Sequence, residues 1–260
     1  MTPLKLSIVV CSYNQAAYLR QALDSLATQR DLRPGELEVL VIDGGSTDGS
    51  VEIVREFEKH FAYSVSEPDR GQTHALRKGF DRATGDIQGW LCSDDVLEPN
   101  TAREVLDYFH SHPAARFVYG DATFIDQNGR SIRRKKEIPF NSFIWRYDHN
   151  YIPQPSTFWR KSLYEEVGGL DESFDVAMDG DLWARFLQRA RPEHIRKPLS
   201  CFRLQPQQKT QVLREEHDKM HRRYCARLGR SFAHPAQRKA AFVVAKTWRV
   251  SWKLVTGCYW

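Results

Sequence analysis

Short apolar runs alternate with amphipathic stretches over the first hundred residues of the chain. The apolar runs have the length of strands and are rich in β-branched residues; they cover residues 6–11, 38–42, 61–65 and Ile87–Cys92. Between them, apolar residues recur at helical spacing in residues 18–26, 51–59 and Gln72–Arg82. Strands that alternate with helices form parallel sheets with right-handed crossovers. The pattern therefore predicts an α/β fold with a mostly parallel, buried central sheet flanked by helices.

The second half of the chain has a less regular pattern. A helix is predicted over residues 99–110, and a strand over Phe117–Ile125 is followed by the turn sequence Asn128-Gly129 and a return strand over 130–136. Further predicted elements are helices at 163–167 and from Asp179, a strand at 199–204, and helices from residue 211 to the end. We therefore expect antiparallel or mixed pairing beyond the first four strands.

Polar side chains follow each strand of the first half. These clusters are Ser12, Tyr13 and Asn14; Asp43; Glu67 to Asp69; and Asp94 with Asp95. The carboxyl ends of parallel strands lie at one edge of the sheet, where open α/β folds bind ligands. The first turn lacks Gly-x-Gly-x-x-Gly, and the chain has no Walker A loop, so a bound mononucleotide is favoured over a dinucleotide.

Asp94 and Asp95 are adjacent carboxylates at the end of an apolar strand. Such a pair needs a counter-charge, and Mg²⁺ or Mn²⁺ held by carboxylates and substrate phosphates supplies one. The alternative is a solvated turn ahead of a helix, where acids are common. Asp179 and Asp181 form a second acidic group at a predicted helix start, where the alternative is simple capping.

Composition and charge narrow the class of protein. The 260 residues are 41% hydrophobic with a net charge of +5, which suits a packed core and an anionic ligand without demanding nucleic acid. No nucleic-acid-binding motif is present. Five scattered cysteines indicate free thiols in a reducing compartment. With no secretory signal and no apolar run of spanning length, we expect a cytoplasmic protein.

The ordered set of motifs resembles the family 2 glycosyltransferases of GT-A fold. The matching segments are Ser12-Tyr13-Asn14, Asp43-Gly44-Gly45-Ser46, Glu67-Pro68-Asp69-Arg70, Lys78-Gly79-Phe80, Ser93-Asp94-Asp95, Met178-Asp179 and Phe202-Arg203. The resemblance covers residues 6–210 and implies transfer of a sugar, with inversion, from a nucleotide diphosphate donor. It implies a GT-A domain at 1–210, with a nucleotide-binding half at 1–98 and an acceptor half at 99–210. Residues 211–260 are then a helical extension.

The resemblance also implies roles for single residues. Asp95, with Asp94, holds the metal at the diphosphate, and Asp94 also contacts the donor ribose or sugar. Asp179 is the general base that deprotonates the acceptor, although Met178 replaces the first residue of the family's Glu-Asp motif. The remaining donor contacts implied are Ser12, Tyr13, Asn14, Asp43, Asp69, Arg70, Lys78, Arg203 and Lys209.

Gln205 departs from the family, which often has His at this position. An amide oxygen can bind Mg²⁺ but lacks the imidazole nitrogen. Gln205 is therefore a possible weak metal ligand, and we expect reduced metal affinity.

The acceptor side is implied by the segment 151–160, which resembles the acceptor wall of bacterial polysaccharide enzymes. Gln154, Trp159 and Asp181 are its candidate acceptor contacts, for a carbohydrate or a lipid-linked acceptor in surface polysaccharide or glycolipid synthesis. The alternative for the aromatic residues of 140–159 is a place in the core.

The last helix carries a predicted apolar stripe with basic residues beside it. The stripe consists of Phe242, Ala245, Trp248 or Arg249, Trp252, Val255 and Tyr259, with Lys246, Arg249 and Lys253 nearby. Such a helix suits peripheral contact with the inner face of an anionic membrane. The alternative is a helix that packs back on the domain.

Two other functions are compatible with parts of the pattern. A glycoside hydrolase would use paired carboxylates but would not need the polar strand ends, and donor consumption with and without acceptor separates it from a transferase. A non-catalytic binder of sugar nucleotides, suggested by Gln205, would bind donor without turnover.

Overall fold

The computed structural model describes residues 3–228 and 234–258, which form one mixed sheet with helices on both faces. The strands are β1 (Leu6–Ser12), β2 (Leu37–Asp43), β3 (Tyr63–Ser66), β4 (Ile87–Cys92), β5 (Val96–Leu97), β6 (Phe117–Ile125), β7 (Ser131–Lys135), β8 (Thr157–Arg160) and β9 (Glu193–Arg203). The helices are α1 (Ala16–Ala27), α2 (Ser50–Glu56), α3 (Gln72–Arg82), α4 (Thr101–Ser111), α5 (Ser142–Tyr147), α6 (Lys161–Glu166), α7 (Met178–Phe186), α8 (Lys209–Val212), α9 (Arg214–Arg227) and α10 (Pro235–Val255).

The sheet has the strand order β3-β2-β1-β4-β8-β6-β9-β5, with β7 paired to β6. Strands β1 to β4 are mutually parallel, whereas β8 runs antiparallel to both β4 and β6. β6 and β9 are parallel to each other, and β6 and β7 form the predicted hairpin. The predicted parallel first half and mixed second half are therefore confirmed.

Apolar side chains cover both faces of the sheet. β1 is buried along its whole length, as expected of a central parallel strand: Ile8 and Val10 pack with α1 and α4, and Val9 and Cys11 face α3 on the other side. Helix α3 lies very close to β1, because a Cβ on Gly79 would fall 2.3 Å from Cγ1 of Val9. The helix is thereby fixed with its first turn at the carboxyl edge of the sheet.

Several predicted boundaries were wrong. The helix predicted at 51–59 ends at Glu56 and is followed by a 3-10 turn, Glu58–His60. The helix predicted from Pro99 begins at Thr101. β9 begins at Glu193, six residues before the prediction, because its polar first part pairs with β6 through an irregular register that hydrophobicity does not reveal.

Trp159 lies in the core, so its predicted contact with the acceptor is wrong. The side chain is 0% exposed, and its ring packs within 5.7 Å, centroid to centroid, of Phe80, Trp90, Trp183 and Phe186. For Trp159, the alternative prediction is confirmed: this aromatic residue of segment 140–159 is part of the hydrophobic core. A large ring at this point of the sheet joins β8 to α3 and α7.

The helices after residue 210 pack on the same core. Tyr224 of α9 is buried beside α7, and Ala241 and Ala245 of α10 face inward. The predicted stripe on α10 is divided between two sides of the helix, because Ala245 is buried whereas Phe242 and Val255 are 41% and 87% exposed; Tyr259 lies outside the described residues. Within residues 3–228 and 234–258, no helix combines the length and the hydropathy that a bilayer crossing requires.

The core position of Trp159 gives a stability prediction. Trp159→Ala should lower the free energy of unfolding by about 3–5 kcal/mol, because a buried ring is replaced by a cavity. Chemical denaturation measures this change. Tyr13→Ala is the matched control: this ring is 62% exposed, and the loss should stay within about 0.5 kcal/mol. Unchanged stability of Trp159→Ala would contradict the core role.

Candidate active site

Asp43 organises the loop at the end of β2. Its carboxylate is fully buried and accepts four hydrogen bonds, from the backbone N–H groups of Gly45 and Ser46 and from the hydroxyls of Ser46 and Ser66, at 2.6–3.1 Å. These bonds join the ends of β2 and β3. The predicted donor residue Asp43 therefore shapes the strand-end loop with both of its oxygens.

The end of β1 lies against this loop. The backbone N–H of Gly44 donates to the carbonyl of Ser12 at 2.9 Å, and the side-chain oxygen of Asn14 accepts from the backbone of Thr47 at 2.9 Å. Ser12 is buried, whereas the ring of Tyr13 extends into solvent. Of these three residues predicted to contact the sugar donor, Ser12 is buried, whereas Tyr13 and Asn14 are exposed, and Tyr13 offers an aromatic ring to a ligand.

The loop between β3 and α3 comes to the same place. Asp69 accepts from the backbone of Gly71 at 2.7 Å, and its second oxygen lies so close to Gly44 that a Cβ there would be 2.7 Å away. Arg70 and Lys78 are held by acids, Arg70 by Glu172 and Lys78 by Glu67, both at 2.8 Å. The structure thus brings Asp69 beside the ends of β1 and β2.

Asp94 and Asp95 follow β4, and their oxygens lie with the Cys92 sulfur in a group whose atoms are all within 4.8 Å of one another. Asp95 is buried and accepts from the backbone N–H of Arg203 at 2.8 Å. Burial and the charge of Asp94 raise the pKa of Asp95 well above its ordinary value, against that hydrogen bond. The nearby charge of Arg203 does not offset these effects on Asp95, and the donor set of two carboxylates fits a hard divalent cation.

Arg203 is a positioning residue, and its predicted contact with the diphosphate is corrected. Its side chain is 1% exposed. Its guanidinium donates to the carbonyls of Asp94, Asp126 and Gln127 and to the side chain of Gln21, at 2.5–3.3 Å. With the backbone bond to Asp95, these contacts tie β9 to the acidic turn. Little of the guanidinium is left for a ligand.

Gln205 supports Asp94, so its predicted role as a metal ligand is also corrected. Its Nε2 donates to Oδ2 of Asp94 at 3.2 Å, and its Oε1 accepts from the backbone of Gln207 at 2.8 Å. The amide therefore offers a donor, and not an oxygen ligand, to the acidic pair. It therefore orients the Asp94 carboxylate.

Two thiols close to the acidic pair, those of Cys11 and Cys92, were not predicted from the sequence. Cys11 and Cys92 are register partners on β1 and β4, and Nε2 of Gln72 donates to both sulfurs at 3.4 and 3.3 Å. Hydrogen bonding to Cys11, burial and the charges of Asp95 and Asp94 raise the pKa of Cys92 well above its ordinary value. A signal was available, because both residues lie near the ends of strands predicted to be parallel.

Two other predicted residues lie close to these thiols. The Cys92 thiol donates to Oε1 of Gln154 at 3.5 Å, and Nε2 of Gln154 donates to the Trp90 carbonyl at 2.8 Å. The hydrogen bond with Cys92 and a smaller effect of the Lys209 charge outweigh burial and lower the pKa of Cys11. Lys209 itself is exposed at the start of α8. Gln154 and Lys209 are thus near the acidic edge.

Asp179 lies in the first turn of α7, and its Oδ2 accepts from the side chain of Asn150 at 3.2 Å. Burial raises its pKa, against the opposing effects of the Gly180 N–H and the positive charge of His217. Tyr224 packs beside this turn, since a Cβ on Gly180 would lie 2.3 Å from its ring. Asn150, His217 and Tyr224 were not found from the sequence, because they lie on distant segments.

The start of α7 lies at the same edge as the strand ends. The Thr73 hydroxyl in the first turn of α3 donates to the carbonyl of Phe174 at 2.6 Å, which fixes the segment before α7 there. Trp183 stacks on Trp90 of β4 with centroids 5.6 Å apart. Ala177, two residues before Asp179, has φ +57°, in the left-handed region. The proposed base and the acidic pair therefore share the carboxyl edge of the sheet.

Asp181 is an interior ion-pair residue, and both of its predicted roles were wrong. It is 0% exposed, and its carboxylate lies 2.8 Å from Nη2 of Arg185 and 2.7 Å from Nη1 of Arg227. It can contact no acceptor, and it makes no side-chain cap at the helix start. The pair with Arg227 instead joins α7 to α9.

Relatives and solved structures agree on one family and one fold. A family model described as "Glycosyl transferase family 2" matches residues 7–168. An uncharacterized glycosyltransferase of Mycobacterium tuberculosis is 29% identical over 75% of this chain and 74% of its own length. A glycosyltransferase of PGL/p-HBAD biosynthesis from Mycobacterium bovis is 28% identical over 67% of this chain and 66% of its own length.

Two solved structures share the fold. Staphylococcus aureus TarS, crystallised with UDP, superposes with a TM-score of 0.68 at 20% identity, over 92% of this chain and 70% of that one. The mannosyltransferase PcManGT of Pyrobaculum calidifontis, in complex with GDP-Man and Mn²⁺, has a TM-score of 0.66 at 20% identity, over 94% and 73% of the two chains. With the family model covering more than half of the sequence, the chain belongs to family 2 of the glycosyltransferases and has the GT-A fold.

Proposed function

We propose that this glycosyltransferase works with inversion, moving a sugar from a nucleotide diphosphate donor to a hydroxyl of a carbohydrate or lipid-linked acceptor. The observation that carries the proposal is the shared edge: Asp94 and Asp95 at the end of β4, and Asp179 at the start of α7. A direct displacement needs two functions on opposite sides of the sugar, which are charge stabilisation at the leaving group and a base at the nucleophile.

The donor is proposed to lie along the ends of β1 to β4. Tyr13 offers an exposed ring to the nucleotide base, and the loop fixed by Asp43 and Asp69 borders the ribose. The solved relatives of this fold hold UDP, UDP-GlcNAc or GDP-Man. Lys209, exposed at the edge, is the cation we propose for the diphosphate, because Arg203 is buried.

The acidic pair is proposed to hold Mn²⁺ or Mg²⁺. A divalent ion bound there would act as a Lewis acid and neutralise charge on the departing diphosphate. Asp95 and Asp94 are the residues that would hold it, with Arg203 and Gln205 fixing their orientation. The solved structure with GDP-Man and Mn²⁺ supports the choice of ion.

Asp179 is proposed as the general base. Asp179 is partly exposed, and the side chain of Asn150 donates a hydrogen bond that orients its carboxylate. Its burial raises its pKa, so the carboxylate is more basic than that of an ordinary aspartate. Those properties favour removal of a proton from an acceptor hydroxyl as that oxygen attacks the anomeric carbon. Gln154, near Cys92, is the remaining acceptor contact that we propose.

The acceptor and the place of action follow as part of the proposal. One similar protein bears the printed name of a PGL/p-HBAD biosynthesis glycosyltransferase, which supports a glycolipid or surface polysaccharide pathway. We therefore propose that the enzyme acts in the cytoplasm, at the inner face of the cell membrane.

Replacing the base tests the function directly. Asp179→Asn should lower the transfer rate by about 10²- to 10⁴-fold, the usual contribution of a general base. The donor should be identified first, by a thermal-shift screen of nucleotide sugars with Mn²⁺, since a bound donor raises the melting temperature. The shift should persist in Asp179→Asn. Asp24→Asn, on the exposed side of α1, is the control and should keep full activity.

Retained turnover in Asp179→Asn would remove Asp179 from the proposed role. Turnover of the donor at equal rate without any acceptor would instead favour a hydrolase. Donor binding without turnover, with acceptor lipids and glycans supplied, would favour a non-catalytic binder.

The raised pKa of Asp179 gives a prediction on pH. The base must be ionised, so kcat/KM should fall on the acid side with an apparent pKa above the value of about 3.9 of a free aspartate. The pKa of Asp179 is higher in the folded than in the unfolded protein. Ionisation of Asp179 therefore lowers the free energy of unfolding as the pH rises from the unfolded-state pKa through the folded-state pKa. Asp179→Asn should therefore melt at a higher temperature than wild type at neutral pH. The prediction would be contradicted if kcat/KM fell with an apparent pKa equal to that of a free aspartate, or if Asp179→Asn melted at a lower temperature than wild type.

The amide of Gln205 gives a prediction on metal affinity. Gln205→His should tighten Mn²⁺ binding by about tenfold or more, because an imidazole nitrogen beside Asp94 adds a ligand that the amide does not supply. Isothermal titration with Mn²⁺ in the presence of nucleotide measures it. Gln207→His, on the exposed neighbouring residue, is the control. Equal affinity in the two variants would show that position 205 does not face the ion.

A further inference from the structure

Helix α10 carries an unusual share of the exposed apolar surface. In the part of the chain that the structure describes, nine large hydrophobic side chains are exposed, and six of them belong to this one helix: Phe242, Val243, Val244, Trp248, Leu254 and Val255. Single exposed apolar residues are ordinary, but such concentration on one element marks an interaction surface.

The apolar residues form a continuous band along the helix. Two adjacent rows, each with the spacing i, i+4, i+7 and i+11, are Val243, Thr247, Val250 and Leu254, and Val244, Trp248, Ser251 and Val255. Neither row contains a charged residue. The helix is 21 residues and thus about 30 Å long, so the band is a broad, neutral face that spans the element.

This band points away from the protein. The inward side of α10 carries Ala241 and Ala245, and it is held by an ion pair of Arg249 with Asp148 and by Lys253, whose Nζ lies 3.4 Å from the buried Glu137 carboxylate. A helix that served only the core would bury its large apolar side chains. Here Ala241 and Ala245 lie inside and Trp252 packs partly on the core, whereas six other large apolar side chains of the helix are exposed.

The charges around the band have one sign. Residues 234–258 contain five Lys and Arg residues and no Asp or Glu. Lys239 and Lys246 are exposed and lie seven positions apart, on the flank next to the Val243 row. Lysine stems at the border of an apolar face reach outward to anions while their methylenes stay on the face.

We infer that the outer face of α10 docks on an anionic lipid bilayer, with the helix axis in the plane of the surface. The apolar rows enter the boundary between headgroups and acyl chains, and Lys239 and Lys246 contact lipid phosphates. A protein partner or a second copy would also cover apolar surface, but the cationic border without any acid favours an anionic membrane. The inference rests on the membrane location in the proposed function and not on the transfer chemistry.

Vesicle flotation of the full-length protein tests the inference. Wild type should float with vesicles of phosphatidylcholine mixed with phosphatidylglycerol, bind poorly to phosphatidylcholine alone, and lose binding as salt screens the charges. Val244→Asp combined with Trp248→Asp should weaken binding by about tenfold or more, because two carboxylates enter the apolar band. Lys239→Glu combined with Lys246→Glu should weaken binding to the anionic vesicles only.

Ile132→Asp is the matched control, because Ile132 is an exposed apolar residue of similar exposure on strand β7, outside the α10 band, and this variant should bind like wild type. Circular dichroism confirms that each variant is folded, and the donor thermal shift should be the same in all of them. That readout separates failure of docking from failure of the transferase proposal.

Three results would overturn the inference. They are absence of wild-type binding to anionic vesicles at low salt, equal binding by the Val244 and Trp248 double variant, and a wild-type dimer in light scattering that this double variant abolishes while vesicles bind neither protein.

Discussion

The buried contact between Arg203 and the turn Asp94-Asp95 is the constraint on which the arrangement of the site depends. The backbone of Arg203 donates to Asp95, and its guanidinium donates to the carbonyl of Asp94 and to the loop after β6. One residue thereby connects the ends of β4, β6 and β9. A buried guanidinium is tolerated only where its donors are satisfied, and loss of its partners would leave an uncompensated charge inside the protein. The acidic turn is thus held in place by β9 and by the loop after β6.

The second half of the site depends on packing more than on charge. The aromatic rings around Trp159 and Trp183 fix α7 over β4, and the Asp181 pairs with Arg185 and Arg227 join α7 to the helix behind it. Asp179 stands on this platform, one turn before Trp183. Groups that act on a substrate need support of this kind, because small shifts of a catalytic side chain reduce its effect strongly.

Much of this could be predicted from the sequence, since polar residues after apolar strands converge whenever the strands are parallel. The positions of Asp94, Asp95 and Asp179 follow from that rule together with the family motifs. The roles of Arg203 and Asp181 could not be predicted, because burial of a charge is decided by tertiary partners such as Gln21 and Arg227. For Trp159 the sequence left a core place and an acceptor contact open, and only packing against Phe80 and its neighbours decides between them. The side of α10 that packs inward could not be predicted either. Apolar residues occur on most sides of this helix, so their spacing does not indicate which side faces the core.

Ala177 shows where this protein accepts conformational cost. Its φ of +57° is in a region that glycine adopts freely and that costs a residue with a side chain roughly 1 kcal/mol or more. The residue lies at the entry to α7, two positions before the aspartate at the acceptor side of the edge. Glycine or asparagine would adopt this conformation at lower cost. An alanine restricts the backbone more than a glycine does, so the entry to α7 is stiffer here than a glycine would leave it.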